Sequence, residues 1–132
     1  MILYLNTIDK IAKIRLYDGK FKLIDELSFD GSFILSEELV QKIDFLLKNN
    51  NFSKKDLTQI AVNIGPGSYT GVRIGVTTAN SIAFALNLPI IEILDEKDVE
   101  KVITKRSAQN AFSAPVLPVY SHLPYITKKR VD

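Results

Sequence analysis

The strongest constraint on the fold of this chain is a change in the spacing of its apolar residues near residue 36. Before this point the apolar runs are short and alternate, as in the second run, where Ala12, Ile14 and Leu16 share one face. After it, helical spacing dominates, and helical stretches are separated by short apolar runs. A chain that begins with consecutive strands and continues with strand–helix alternation is expected to build a mixed sheet with helices packed on it.

The predicted elements follow the order βββαβαβα. Strands are predicted over residues 2–6, 11–17, 21–29, 59–64 and 89–94, and helices over residues 36–48, 70–86 and 95–106. Asp18 and Gly19 predict a tight hairpin turn, and Asp95 is expected to cap the last helix. The first, fourth and fifth strands are expected to be parallel. We therefore predict an α/β lobe over residues 1–94, followed over residues 95–132 by a helix and an extended, proline-rich, basic tail.

Composition argues against several functions. The 132 residues include no cysteine and a single histidine, His122, which leaves few candidates for metal ligands or nucleophilic catalysis. The net charge of +2, from 17 basic and 15 acidic residues, is too balanced to indicate a nucleic-acid binder by bulk charge. The first strand ends in Asn6, where a two-metal nuclease of this topology would need a carboxylate.

The most apolar stretch, residues 71–94, is interrupted by polar residues and a proline, so no membrane span is expected. The absence of cysteine fits a reducing compartment, and we expect a cytoplasmic protein. From the residues alone, neither a catalytic residue nor a metal site is predicted.

The loop Gly65-Pro66-Gly67-Ser68 joins a predicted strand to a predicted helix. An anion can meet free backbone amides at such a place. However, the glycine spacing departs from the dinucleotide-binding fingerprint, the lysine of the phosphate-binding P-loop is missing, and Pro66 removes one donor. Two interpretations stay open, which are a nucleotide-binding enzyme that uses this loop and a tight turn that needs the backbone freedom of glycine.

Small residues form a ridge along the helix that follows this loop. The ridge consists of Gly71, Gly75, Ala79 and Ala83, and the stripes beside it contain Val72, Ile74, Val76 and Ile82. Because each glycine inside a helix costs about 1 kcal/mol relative to alanine, close packing must offset the loss. The ridge therefore packs either on the sheet of this chain or on a helix of a partner protein.

This segment resembles the TsaB (YeaZ) family, whose hallmark reads GPGSxTGxRIG. The matching residues are Gly65, Pro66, Gly67, Ser68, Thr70, Gly71, Arg73, Ile74 and Gly75, with Tyr69 at the aromatic position. The opening strands also resemble the family, with Asn6-Thr7-Ile8 where it usually has Asp-Thr-Ser. The C-terminal Pro-x-Tyr of the family is similar to Pro118-Val119-Tyr120 or Pro124-Tyr125-Ile126. The resemblance is close over residues 1–95 and loose beyond.

The resemblance implies an actin-like (RNase H-like, ASKHA) lobe with a mixed five-stranded sheet, without the second lobe that family members usually carry. It implies a non-catalytic subunit for the synthesis of threonylcarbamoyladenosine on tRNA, at the adenosine next to the anticodon. Such a subunit pairs with a TsaD-like transferase through a helical bundle, or with itself when alone. A TsaE-like ATPase is expected near that junction, with ATP or ADP only at an interface with partners and no other cofactor.

The bundle helices correspond here to residues 36–48 and 70–86. The residues predicted to form the partner interface are Leu39, Ile43, Leu47, Gly71, Val72, Gly75, Val76, Ala79, Ile82 and Ala83. Contact with tRNA is predicted to be indirect or weak, through Lys128, Lys129 and Arg130. Direct tRNA binding by this basic tail is kept as a weaker alternative.

Overall fold

The computed structural model describes residues 1–31, 36–67, 69–106 and 111–119, and for Tyr69 only the backbone. The strands are β1 Ile2–Asn6, β2 Ile11–Tyr17, β3 Leu23–Asp30, β4 Gln59–Asn63 and β5 Ile90–Ile93. The helices are α1 Ser36–Asn49, α2 Tyr69–Leu86 and α3 Val99–Lys105, with short 3₁₀ turns at Lys54–Asp56 and Glu96–Asp98. The predicted order of elements is confirmed.

The strands form one mixed sheet in the order β3-β2-β1-β4-β5. β2 pairs antiparallel with both β1 and β3, whereas β1, β4 and β5 are parallel, as the sequence predicts. Every residue of β1 and β4 is buried, because both strands are covered on both faces. This explains why these two segments are continuous apolar runs while β2 alternates.

The two faces of the sheet carry separate apolar clusters. On one face, Leu3, Leu5 and Ile14 pack with residues of α1 and α2. On the other face, Ile2, Tyr4, Tyr17, Ile91 and Ile93 pack with Val99 and Ile103 of α3. Neighbouring strand residues belong to opposite clusters because successive side chains of a strand point to opposite faces.

The turn between β2 and β3 differs from the predicted two-residue hairpin. Asp18 bonds across to Lys22 through its backbone N–H, at 2.9 Å, and its carboxylate accepts the amides of Lys20 and Lys22. The positive φ of 65° falls on Phe21 rather than on a glycine. The aspartate side chain stabilises this wider turn, and Phe21 packs against the cluster under α3. β3 therefore begins two residues later than predicted.

The segment after β5 also begins differently. The carboxylate of Asp95 accepts a hydrogen bond from the backbone N–H of Lys97 at 3.1 Å, so the predicted cap is present, but it heads a 3₁₀ turn. The α-helix itself covers only Val99–Lys105. Since Val99 and Ile103 are buried under the sheet, this helix packs on the same sheet as the elements before residue 94.

Residues 111–119 form a C-terminal strap that packs on the sheet and α2. The Asn80 side chain donates to the carbonyl of Val116 and accepts from its N–H, at 3.0 and 2.9 Å. The Val119 N–H donates to the carbonyl of Ile64 at 2.6 Å. The strap is docked on the rest of the chain, and its Val116 belongs to the apolar cluster under α2.

The ridge of small residues on α2 faces the interior of the protein. Ala79 and Ala83 are fully buried, and a Cβ on Gly75 would lie 2.3 Å from the Oγ1 of Thr7. The Thr7 hydroxyl donates to the carbonyl of Gly71. The ridge therefore allows the turn between β1 and β2 to approach the α2 backbone. Of the two interpretations of the ridge, packing within this chain is the one that the structure shows.

We predict that Gly75→Ala lowers the free energy of unfolding by about 1–3 kcal/mol, although alanine is the better helix former. The reason is the clash between the added methyl group and Thr7. Urea denaturation of the single variants and of the Thr7→Ala/Gly75→Ala double variant measures the coupling.

Ser81→Ala, at an exposed position of the same helix, is the control and should change stability little. The prediction is contradicted if Gly75→Ala is as stable as the wild type, or if the double variant shows no recovery relative to the sum of the single changes.

Candidate functional site

The carboxyl ends of the parallel strands meet at one edge of the sheet, where open α/β sheets usually bind their ligands. β1 ends in Asn6 and β4 ends in Asn63, and both side chains are buried. The turn between β1 and β2 and the loop between β4 and α2 leave from this edge. The candidate site is therefore built on these two connections.

The glycine that opens the β4–α2 loop is required by its surroundings. Gly65 has a φ of 108°, and a Cβ at this position would lie 2.0 Å from the carbonyl oxygen of Val119. Its N–H donates to the Oδ1 of Asn63 at 3.0 Å. The peptide bond between Gly65 and Pro66 is cis. Because the Gly65 amide is already used inside the protein, it is not free to cradle a phosphate.

The next glycine is packed against the turn between β1 and β2. A Cβ on Gly67 would lie 2.7 Å from the Cβ of Ile8 and 2.8 Å from a methyl group of Val72. The tight-turn interpretation thus accounts for Gly65 and Gly67, whereas nucleotide binding by this loop stays an untested prediction. Pro66, Thr70 and Arg73 are exposed. Ser68 and the side chain of Tyr69 lie outside the described part.

A carboxylate that the sequence did not single out reaches this edge from the turn after β5. The Oε1 of Glu96 accepts from the Nδ2 of Asn6 at 2.6 Å and from the Tyr4 hydroxyl at 3.1 Å. Its Oε2 accepts from the Nζ of Lys13 at 2.7 Å and lies 3.3 Å from the Nη2 of Arg15. Glu96 is therefore paired with two cations and with two neutral donors.

The environment of Glu96 favours its ionised form. Burial works to raise its pKa, but the hydrogen bonds from Lys13 and Asn6 and the charge of Arg15 outweigh burial and hold the pKa below the ordinary value. Burial is also the main reason that the pKa of Tyr4 lies well above its ordinary value. Tyr4 is thus a neutral hydroxyl donor to an anionic Glu96 at neutral pH.

A shallow groove of about 410 Å³ lies beside this carboxylate on the α3 side. It is lined by Arg15, Tyr17, Leu23, Glu96, Lys97, Val99 and Glu100. Across residues 1–31, 36–67, 69–106 and 111–119, no cluster of three or more His, Cys, Asp or Glu side chains is arranged to hold a metal ion. None of the helices in these ranges combines the length and the apolarity needed to cross a membrane.

The predicted partner interface needs a correction, because most of its residues are inside this chain. Leu39, Ile43 and Leu47 of α1 and Val72, Val76, Ala79 and Ala83 of α2 are all buried in the cluster between these helices and the sheet. Gly75 is buried too, and only Gly71 and Ile82 keep partial exposure. The apolar spacing that suggested a partner reflects packing on the sheet of this chain.

The same two helices have an exposed surface, which we call the outer helix face. It consists of Glu38, Gln41, Phe45 and Lys48 on α1 and Arg73, Thr77, Ser81 and Phe84 on α2. Phe45 is 60% exposed and Phe84 is 72% exposed. The Phe112 ring of the strap meets the Phe84 ring edge-on, with 5.6 Å between the ring centres. Lys128, Lys129, Arg130, His122 and Tyr120 lie outside the described residues.

Comparison with known proteins now assigns the chain. The profile of the TsaD family, described as tRNA N6-adenosine threonylcarbamoyltransferase, matches residues 35–121. The tRNA threonylcarbamoyladenosine biosynthesis protein TsaB of Bacillus subtilis is 53% identical over 45 residues, and its counterpart in Haemophilus influenzae is 35% identical over 78 residues. The chain belongs to the TsaD family, in its TsaB (YeaZ) branch.

The TsaB assignment agrees with the fold. YeaZ from Pseudomonas aeruginosa superposes with a TM-score of 0.65 at 22% identity, over 80% of this chain and 49% of that chain. This likeness and the match to the TsaD family together confirm the predicted actin-like lobe with its mixed sheet. The two TsaB matches cover 34% and 59% of this chain but only 20% and 32% of the relatives. The matched segments thus cover less than half the length of these TsaB proteins.

We predict that Glu96 makes the stability of this TsaB-family chain depend on pH in the acidic range. Because its folded pKa is depressed, its contribution is present above the ordinary value of 4.5 and is lost as the pH falls through the folded pKa. Glu96→Gln should therefore be less stable than the wild type at neutral pH, by about 1–3 kcal/mol, and the gap should narrow in acid.

Urea denaturation between neutral and acidic pH measures both effects. Glu92→Gln removes a carboxylate at an exposed position of β5 and serves as the matched control, with an expected small effect on stability. Equal pH profiles for the Glu96 and Glu92 variants would contradict the prediction.

Proposed function

We propose that this chain is a non-catalytic subunit of tRNA threonylcarbamoyladenosine biosynthesis that docks on a TsaD-like transferase and activates it. Membership of the TsaB branch supports the process, since the Bacillus subtilis and Haemophilus influenzae relatives are named as biosynthesis proteins of this modified nucleoside. The proposal gives this chain a docking role and leaves the transfer to the partner.

The chemistry of the candidate site supports a role without catalysis. The carboxylate that the structure brings to the carboxyl edge, Glu96, is held by Lys13 and Arg15 and by two neutral donors. A general base needs a free lone pair and a pKa near the working pH. Glu96 has neither, because its oxygens are engaged and its pKa is depressed.

The outer helix face supports the docking role, and its pair of exposed aromatic rings is the observation that carries the proposal. α1 and α2 contact each other on one face of the sheet, and Phe45 and Phe84 stand out from them into solvent. Large aromatic side chains are enriched among the residues that dominate binding energy at protein interfaces. The buried residues behind them pack on the sheet and hold the two helices in place.

The predicted self-association fits the same surface. Without the transferase, two copies of the chain would pair through the outer helix face in an isologous contact. A TsaE-like ATPase and a nucleotide would then join only in the complex with the transferase, at the interface between partners. Contact with tRNA would be indirect, or weak and made through Lys128, Lys129 and Arg130.

We predict that Phe45→Ser and Phe84→Ser each weaken binding to the TsaD-like transferase of the same source by about tenfold or more, while the chain stays folded. Light scattering after size exclusion, of the chain alone and mixed with the transferase, gives the stoichiometry, and calorimetric titration gives the affinity. The wild type is expected to form a dimer alone and a mixed complex with the transferase.

Leu94→Ser is the matched control. Leu94 is 64% exposed, so its replacement removes a similar apolar surface from outside the outer helix face. It should leave the mixed complex intact. If the wild-type chain does not bind the transferase, the docking role is refuted. Equal losses of affinity for Leu94→Ser and for the phenylalanine variants would refute the assignment of docking to the outer helix face.

A further inference from the structure

Two chains of hydrogen bonds end on Glu96. They start at the β1–β2 turn and at the β4–α2 loop, which both leave the sheet at the carboxyl ends of its parallel strands. The first begins at the turn between β1 and β2. The N–H of Ile8 donates to the Oδ1 of Asn6 at 3.0 Å, and the Nδ2 of Asn6 donates to Glu96 at 2.6 Å. The amide of Asn6 thus joins the backbone of the turn to the carboxylate.

The second chain begins at the β4–α2 loop. The N–H of Gly65 donates to the Oδ1 of Asn63 at 3.0 Å, and the Nδ2 of Asn63 donates to the Tyr4 hydroxyl at 3.5 Å. The Tyr4 hydroxyl donates in turn to Glu96 at 3.1 Å. This chain is longer than the first, and it joins the first residue of the GPGSYTG segment to the same carboxylate oxygen.

All donors in both chains point toward Glu96, which gives the arrangement one direction. An anion at the end of a chain of hydrogen bonds polarises each bond in it and fixes which way the two asparagine amides face. A glutamine at position 96 would offer only one carbonyl oxygen, and its NH₂ group could not accept from Lys13 or Arg15. The carbonyl oxygen of the glutamine could accept either from the two cations or from the donors of the two hydrogen-bond chains, but not from both.

We propose that Glu96 is a positioning residue, which sets the backbone of the β1–β2 turn at Ile8 and of the β4–α2 loop at Gly65 from the opposite face of the sheet. Glu96 thereby links the turn after β5, which leads into α3, to the β1–β2 turn and the β4–α2 loop, and these two segments hold the start of α2. The turn between β1 and β2 contacts α2 directly, since Thr7 bonds to Gly71 and lies against Gly75. This proposal rests on the hydrogen bonds and is independent of the proposed function.

The alternative is that Glu96 only forms an ion pair that stabilises the fold as a whole. The two roles differ in where their loss is felt. Loss of a general stabilising pair raises the exchange of all amides that open by global unfolding, whereas loss of a positioning residue acts on the amides at the ends of its chains.

The experiment is amide hydrogen exchange, measured by NMR on the full chain, with four variants. Glu96→Gln should speed exchange at both Ile8 and Gly65 by about tenfold or more relative to core strand amides. Tyr4→Phe removes one hydroxyl and breaks only the second chain, so it should speed exchange at Gly65 and leave Ile8 unchanged.

Two controls separate positioning from charge. Lys13→Gln removes a cation from Glu96 but leaves both hydrogen-bond chains intact. The exchange rates of the Ile8 and Gly65 amides should therefore change no more than those of the core amides. Glu92→Gln removes a negative charge from an exposed position of β5 and should change neither amide.

The proposal is overturned if Glu96→Gln changes the exchange rates of the Ile8 and Gly65 amides no more than those of the core amides. It is also overturned if Lys13→Gln speeds exchange at both amides as much as Glu96→Gln does. If Glu96→Gln does not fold, Tyr4→Phe decides, because a selective effect at Gly65 supports the second chain and a uniform effect or none overturns it.

Discussion

The structure depends on β1, which is buried on both faces and paired on both sides. Its antiparallel partner β2 joins it to the opening meander, and its parallel partner β4 joins it to the strand–helix units. Because β1 is central, its carboxyl end lies where the connections after β1 and β4 leave the sheet. The close packing of Thr7 against α2, the placement of Asn6 beside Glu96 and the two apolar clusters all follow from this position.

Most of the fold could be predicted from the sequence because its signals are local. The alternation in β2, the continuous apolar runs of β1 and β4 and the small-residue helix each report the burial of one element. The bounds that differed were decided by contacts between distant residues. Phe21 takes a positive φ in the turn after β2 and packs under α3, and the strap docks because Asn80 and Ile64 supply partners for its backbone.

The candidate site was less predictable, for two physical reasons. Buried small residues and buried leucines show the same spacing whether a helix packs on its own sheet or on another protein, so the sequence did not say which side of α2 faces outward. Glu96 meets Asn6 and Lys13 across 90 and 83 residues of sequence. A carboxylate among other charged residues at the start of a predicted helix gives no local sign of such partners.

The contact between Gly65 and Val119 has a consequence for the order in which the protein can be completed during synthesis. The strands, α1 and α2 all precede the strap along the chain, and domains begin to fold from the N-terminal side as they emerge. Yet the carbonyl of Ile64 and the side chain of Asn80 bond to the backbone of Val119 and Val116, which are made later. The loop that carries the family hallmark therefore reaches its final surroundings last, after every element that it connects has already been made.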